Sequence, residues 1–437
     1  NRLCIESPAR TMLPTMASFT CYHQFGTLLH MIRHVFFSIT SFSFFAINTF
    51  AMPQDTAITA DGSRKVSDVT AAEDPHLWLE DVTGDQQLEW VKLRNLKTQT
   101  YFESQDDFNK LNDDLLSILD SDERIPFVGK AGDYYYNFWR DKDHVRGLWR
   151  RTTLEEYRKT SPAWETVLDL DAVAEAEHEN WVWGGSSILR PSYDRALISL
   201  SRGGADASVT REFDMHTKSF VEGGFSRSES KGGMSWIDRD SVFIYTDFGE
   251  GTMTSSGYPR IAKLWRRGTP LESAEVVYEG THEDMSIRAS HDNSPGFERN
   301  FVSRTLAFYN NEIYLRADDG TLSKIDAPNS ASKSVFKQYL MLELRKPWEV
   351  AGKTYAAGSL LISNFDDFMA GQRNFDVAFE PTENSSLANF SPMKDHLILN
   401  VLEDVKNKIY VLTPGKDGWK REPLKGAPAI GTVSVSP

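Results

Sequence analysis

Carboxylates beside histidines are the side chains in this sequence with the plainest chemical capacity. His282-Glu283-Asp284 and His291-Asp292 set imidazoles next to acids, the residue types that ligate divalent metals or move protons. A metal site needs ligands that converge at fixed spacing, and the ten histidines form no His-Glu-x-x-His and no Cys/His cluster. These groups read as solvated loop chemistry, and no metal or cofactor is expected. Asp238 and Asp240 resemble half of a calcium loop, but its glycine and distal glutamate are absent, leaving a β-turn bounded by carboxylates. Paired acids also permit a glycosidase or lyase, although 62 acidic residues make unrelated pairs inevitable. Trp181, Trp183, Trp236 and Trp265 could form a carbohydrate platform, or pack on strand faces, the commoner use of such side chains.

The elements that would position these residues are strands. From Lys231 to Pro270 the chain runs through Gly232-Gly233 and Ser235-Trp236-Ile237-Asp238-Arg239-Asp240. It continues into the β-branched and aromatic run Ser241-Val242-Phe243-Ile244-Tyr245-Thr246 and breaks at Asp247-Phe248-Gly249-Glu250-Gly251. A second strand spans Arg260 to Arg267, so the unit is turn, strand, loop, strand, turn. Cruder copies begin at Ser192-Tyr193-Asp194-Arg195 and at Ser391-Pro392-Met393-Lys394-Asp395. Further strands are predicted at Asp133 to Trp139, Gly147 to Thr152, Trp164 to Asp169, Ala207 to Asp214, Thr305 to Tyr309, Glu312 to Arg316, Gln338 to Arg345 and Ser359 to Ser363. Repeated units of this kind imply an all-β fold of β-propeller type, and about 45 residues per blade gives six or seven blades over residues 125 to 437.

Composition bounds the partners. A formal charge of −14 argues against sequence-independent binding of nucleic acid, which requires a basic face. Both cysteines, Cys4 and Cys21, lie in the first fifty residues. Met31-Ile32-Arg33-His34 forms a short basic segment before an uncharged, Phe-rich run to Phe50, and Thr49-Phe50-Ala51 supplies a cleavage site. Residues 1 to 51 are therefore expected to be a leader with a signal peptide over Met31 to Ala51. Export to the periplasm or medium would follow, with no membrane association after cleavage. A membrane anchor and mistranslated upstream sequence are the alternatives, and a start at Met52 would leave the chain cytoplasmic. Residues 52 to 72 read as a linker. Over 73 to 124, Leu88, Val91, Asn95, Thr98 and Phe102, then Phe108, Leu111, Leu115 and Leu119, recur at helical spacing and predict two amphipathic helices. At the other end, Ile430 to Pro437 read as a strand cut off mid-unit, so the propeller of residues 125 to 437 is expected to be truncated in its last blades.

Trp78-Leu79-Glu80-Asp81, followed by Trp90-Val91 and Asn95, resembles the N-terminal segment of prolyl oligopeptidase-type serine peptidases. The run from Ser235 to Asp240, with Thr246-Asp247-Phe248-Gly249, Ser256-Gly257-Tyr258-Pro259-Arg260 and Lys263 to Leu271, is similar to the propeller of the bacterial branch. The resemblance covers residues 73 to 437. It implies a seven-bladed propeller capping an α/β-hydrolase domain with a Ser-Asp-His triad, short peptides as substrates, and acyl transfer as the chemistry. The nucleophile of that family sits in Gly-x-Ser-x-Gly, and no such pentapeptide occurs here. Gly184-Gly185-Ser186-Ser187-Ile188 and Gly223-Gly224-Phe225-Ser226-Arg227 lack the register and the closing glycine. No catalytic residue is therefore carried over, and the hydrolase domain is expected downstream, leaving this chain inactive alone. In the family the N-terminal helices pack on that domain, so Leu88, Val91, Phe108, Leu111 and Leu115 are expected to be under-buried here. A standalone propeller that binds a partner protein, and a carboxylate-using carbohydrate enzyme, are the alternative functions.

Overall fold

A computed structural model of the chain describes residues 74–427, apart from 82, 122 and 417. The expected leader, signal peptide, linker and final strand lie outside the described residues, as do both cysteines. Among the described residues no helix is long and apolar enough to cross a membrane. The chain divides into one unit ending at Asp114 and another running from Leu115.

In the first unit, a short helical turn, Leu77–Glu80, precedes helix α1, Asp85–Glu103. The Asp81 carboxylate accepts from the Thr83 and Gly84 amides at 3.2 and 3.0 Å, and Trp78 meets Trp90 edge-on at 6.2 Å. Helix α2, Asp106–Leu119, follows a two-residue break and runs past the Asp114 boundary. Leu88, Val91, Phe108, Leu111 and Leu115 are all exposed. Helix α2 keeps its apolar side chains on one side, whereas α1 does not. Leu93 and Leu96 project away from the stripe through Leu88 and Val91, because two- and five-residue offsets leave that face at 100° per residue.

The second unit is built from antiparallel meanders. Six sheets follow one another among the described residues, with strands within 129–169, 181–230, 233–279, 286–324, 332–379 and 385–423. The second sheet carries an extra strand, Ser226–Ser230, beside Ser208–Asp214, and a hairpin of Trp348–Val350 with Lys353–Tyr355 is inserted into the fifth. Apart from that extra strand and the inserted hairpin, strands within a sheet pair with their neighbours in sequence. In the third sheet the predicted pair becomes Ser241–Tyr245 and Ile261–Arg266, and the polar approach to it holds a strand of its own, Gly233–Trp236. Gly232 enters that strand at φ +140°, and a Cβ there would collide with the Tyr245 carbonyl oxygen.

What stacks these sheets is the two-residue alternation of their inner strands. In Arg195–Arg202, Ala196, Ile198 and Leu200 join a core shared with Tyr136, Trp149 and Leu168 of the first sheet, while Leu197 points the other way, toward Met234, Trp236 and Val242 of the third. Phe243 then faces Ile287 and Val302 of the fourth sheet, Phe301 faces Leu340 and Phe365 of the fifth, and Met341 faces Leu397 and Leu399 of the sixth. Five cores thus join six sheets in chain order. Each fully buried large side chain contributes roughly 1.5 to 3 kcal/mol, so the interfaces rather than the isolated meanders hold the unit together.

Candidate functional site

The fourth sheet shows how a polar site arises from the same alternation. In its first strand, Ser286–Asp292, Ile287 and Ala289 enter the core shared with the third sheet, which turns Ser286 and Arg288 to the opposite face. Register then lines up two rows across three strands: Ser286 with Thr305 and Asn311, and Arg288 with Ser303 and Ile313. Ser332 and Lys333, from the first strand of the fifth sheet, Ser332–Phe336, supply one wall, and Met285 and Tyr258 complete the lining. The result is a cleft of about 490 Å³ beside the apolar core that joins these two sheets.

Its electrostatics are set by two cations. The residue Lys333 is only 9% exposed. Its Nζ donates to the carbonyl oxygens of Pro328 at 2.9 Å, Asn311 at 3.1 Å and Ala331 at 3.1 Å, with Asn311 Oδ1 at 3.2 Å. Burial, reinforced by Lys324 and opposed by Glu312, pushes its ammonium down to about 8. Arg288 is exposed, and among the described residues its guanidinium has no hydrogen-bond or ion-pair partner. The Tyr258 hydroxyl donates to Asp206 at 2.8 Å, and Lys231 lies 4.5 Å over its ring and 3.1 Å from the same carboxylate. Tyr245, whose hydroxyl burial pushes up against the pull of Arg288 and Arg227, belongs to the neighbouring third sheet.

The side chains singled out in the sequence are placed elsewhere and do other work. His282 touches Glu283 at 3.3 Å in an exposed loop, while Asp284 is buried and accepts from Arg304 at 3.0 and 3.1 Å. His291 and Asp292 are the last residues of a strand rather than loop residues. His291 Nδ1 meets Asn300 Oδ1 at 2.9 Å, and Asp292 accepts from the Ser294 amide at 2.9 Å. Asp238 accepts from the Asp240 amide at 2.7 Å, as a turn requires, and Asp240 pairs with Arg267 at 3.1 Å. Trp181 and Trp236 are buried in inter-sheet cores, Trp183 stacks on Phe138 at 4.9 Å, and Trp265 meets Phe225 at 5.1 Å, so all four pack rather than forming a platform. Gly184-Gly185-Ser186 lies in strand Trp181–Ile188 at a bulge, and Ser226-Arg227 opens another strand, so neither has the strand-to-helix turn of a nucleophile. The cleft itself was missed in the sequence. The signal for it was the Ser286-Ile287-Arg288-Ala289-Ser290 alternation, which marks a strand with one polar face.

Successive four-stranded meanders, joined face to face by shared cores and carrying a polar cleft at one of those interfaces, are the architecture of a β-propeller domain. The chain belongs to the prolyl oligopeptidase family: residues 53–296 match the family profile described as "Prolyl oligopeptidase, N-terminal beta-propeller domain". An uncharacterized peptidase of Sinorhizobium fredii is 32% identical over 88% of this chain and 54% of its own length. A second, from Rickettsia prowazekii, is 28% identical over 79% and 50%. A solved structure described as a post-proline cleaving enzyme from Rickettsia typhi superposes with a TM-score of 0.77 at 29% identity, over 82% of this chain and 54% of that one. The chain therefore spans about half the length of the curated relatives it matches.

Proposed function

We propose that these residues are the N-terminal and propeller part of an exported prolyl oligopeptidase-type serine peptidase that hydrolyses short peptides. In this reading the propeller gates access to a Ser-Asp-His triad carried by an α/β-hydrolase domain downstream, and export depends on the segment Met31 to Ala51. The observation that carries the proposal is the match of 88% and 79% of this chain to peptidases of which it covers only 54% and 50%. The exposed apolar side chains of α1 and α2 support it, since such residues gain stability only when a partner surface covers them.

The test is to express the complete reading frame that contains these residues and assay it on a short chromogenic peptide with proline at the cleaved position. Hydrolysis abolished by a serine-directed acylating reagent, with a folded protein of the same local sequence left uncut, is the expected result. A complete product that lacks a nucleophilic serine, or that cuts folded and short substrates equally well, would overturn the peptidase reading or the gating reading respectively. Fusing residues 31 to 51 to a reporter active only outside the cytoplasm tests export separately.

A further inference from the structure

We infer that the cleft between the fourth and fifth sheets binds a carboxylate of a peptide chain. The inference rests on the proposed peptide substrates and adds what part of them this chain would hold. Among the described residues that line the cleft, two are cationic and none is acidic, although the chain as a whole carries a formal charge of −14. Nearby carboxylates are already engaged. Asp284 is held by Arg304, and Glu312 accepts from Lys324 at 2.5 Å and from Tyr314 at 2.7 Å. Asp206 is shared by Tyr258 and Lys231.

The two cations are unusual for this protein. The other three arginines of the fourth sheet each have an acidic partner: Arg299 with Asp366 at 3.3 Å, Arg304 with Asp284 at 3.0 Å, and Arg316 with Glu275 at 2.7 Å. Arg288 is the exception, a guanidinium free to offer a carboxylate two parallel N–H donors. Lys333 is more than nine-tenths buried, and the four acceptors around its ammonium are all neutral. Carbonyl dipoles solvate the ammonium but leave it without a directly paired carboxylate, so an anion entering the cleft gains from a cation that water screens poorly. The hydroxyls of Ser286, Ser303, Thr305 and Ser332 can donate to the same anion or to adjacent peptide groups. A volume near 490 Å³ lies within the range of sites that enclose small ligands, enough for a peptide end rather than a folded surface.

The carboxylate has two sources, a C-terminus or an acidic side chain, and three labelled peptides separate them. The first is a neutral pentapeptide with a free C-terminus, the second its carboxamide, and the third the carboxamide with one internal glutamate. Binding to the 437-residue chain is read by fluorescence anisotropy at low and moderate salt. The free acid is expected to bind at least about tenfold more tightly than the neutral carboxamide, with the preference shrinking as salt rises. Recovery by the glutamate peptide assigns the side chain as the source, and no recovery assigns the C-terminus. Arg288→Gln should reduce the preference to about twofold or less while Arg288→Lys keeps only part of it, because the ammonium preserves the charge but not the two parallel donors. Circular dichroism of both variants checks that this exposed position leaves the fold intact. Equal binding of acid and carboxamide, no binding of any of the peptides, or a preference unchanged in Arg288→Gln would overturn the inference. None of those outcomes touches the peptidase reading, which fails only if the complete enzyme does not cut peptides.

Discussion

At the residue scale, the buried charges make the sharpest predictions. Lys333 has its ammonium pushed down to about 8 from an ordinary 10.5, mainly by burial. Below pH 8 folded and unfolded chains both hold the proton, and the fold bears the full cost of the buried charge. From pH 8 to 10.5 the unfolded chain binds more protons, so this residue's contribution to stability rises with pH, by roughly 3 kcal/mol in all. Lys333→Met should remove that rise, and urea denaturation across the interval measures it; a variant whose stability climbs in parallel with the parent would refute the assignment. Glu312 gives stability the same rise with pH in an acidic window, but here it is the charged form that the fold favours. The Lys324 ammonium, then burial working against it, and the Tyr314 hydroxyl leave its carboxyl at about 2. Its stabilisation is present above 4.5 and is lost as pH falls toward 2, so Glu312→Gln should weaken the fold at neutral pH and flatten its acid unfolding curve. Glu212 is 1% exposed and accepts from Arg267 at 3.0 and 3.1 Å and from the Phe225 amide at 2.9 Å. Glu212→Ala should cost roughly 1.5 to 3 kcal/mol in chemical denaturation, since it removes the buried charged acceptor of the partly exposed Arg267 and of the Phe225 amide. None of these networks was legible in the sequence. Glu212 and Arg267 lie 55 residues apart, and the rows of the cleft exist only once strand register is known.

At the element scale, legibility followed the strength of the local pattern. The aromatic and β-branched run before Asp247 announced Ser241–Tyr245, because alternating bulky residues fit a pleated surface. Ser286–Asp292 went unseen, since its serines and its terminal His291-Asp292 have the composition of a loop and only two apolar residues mark its buried face. Ser391-Pro392-Met393 read as a turn, yet these residues finish strand Ser385–Met393, whose position at the edge of the sixth sheet tolerates the missing proline N–H. The helices were readable from their spacing, but spacing could not show what covers them. Burial therefore predicts a contrast between elements. Phe213→Ala, emptying a core shared by two sheets, should cost roughly 3 to 5 kcal/mol. Leu111→Ser, on a face 56% exposed, should change the stability of this chain by less than about 1 kcal/mol. Urea titration of both variants checks the contrast, and a large loss for Leu111→Ser would mean that α2 is covered within this chain.

At the scale of the whole molecule, the propeller was legible as repetition and as family resemblance, whereas the way its sheets share stability was not. Each core couples only two consecutive sheets, and strand alternation assigns opposite faces of one strand to different cores. Trp149 belongs to the core of the first and second sheets and Leu399 to that of the fifth and sixth, with no residue in common. Trp149→Ala and Leu399→Ala should each destabilise by roughly 2 to 5 kcal/mol. Because they share no partners, the double variant should lose the sum to within about 0.5 kcal/mol. Trp236→Ala and Phe225→Ala, by contrast, remove rings in direct edge-on contact at 5.9 Å, and their losses should be non-additive by more than about 0.5 kcal/mol. Equilibrium denaturation of both sets, with tryptophan fluorescence and far-ultraviolet circular dichroism as paired probes, measures the two couplings. A distant pair coupled as strongly as the touching pair would show that stability is pooled across all the sheets, and the picture of separate neighbour interfaces would have to be abandoned.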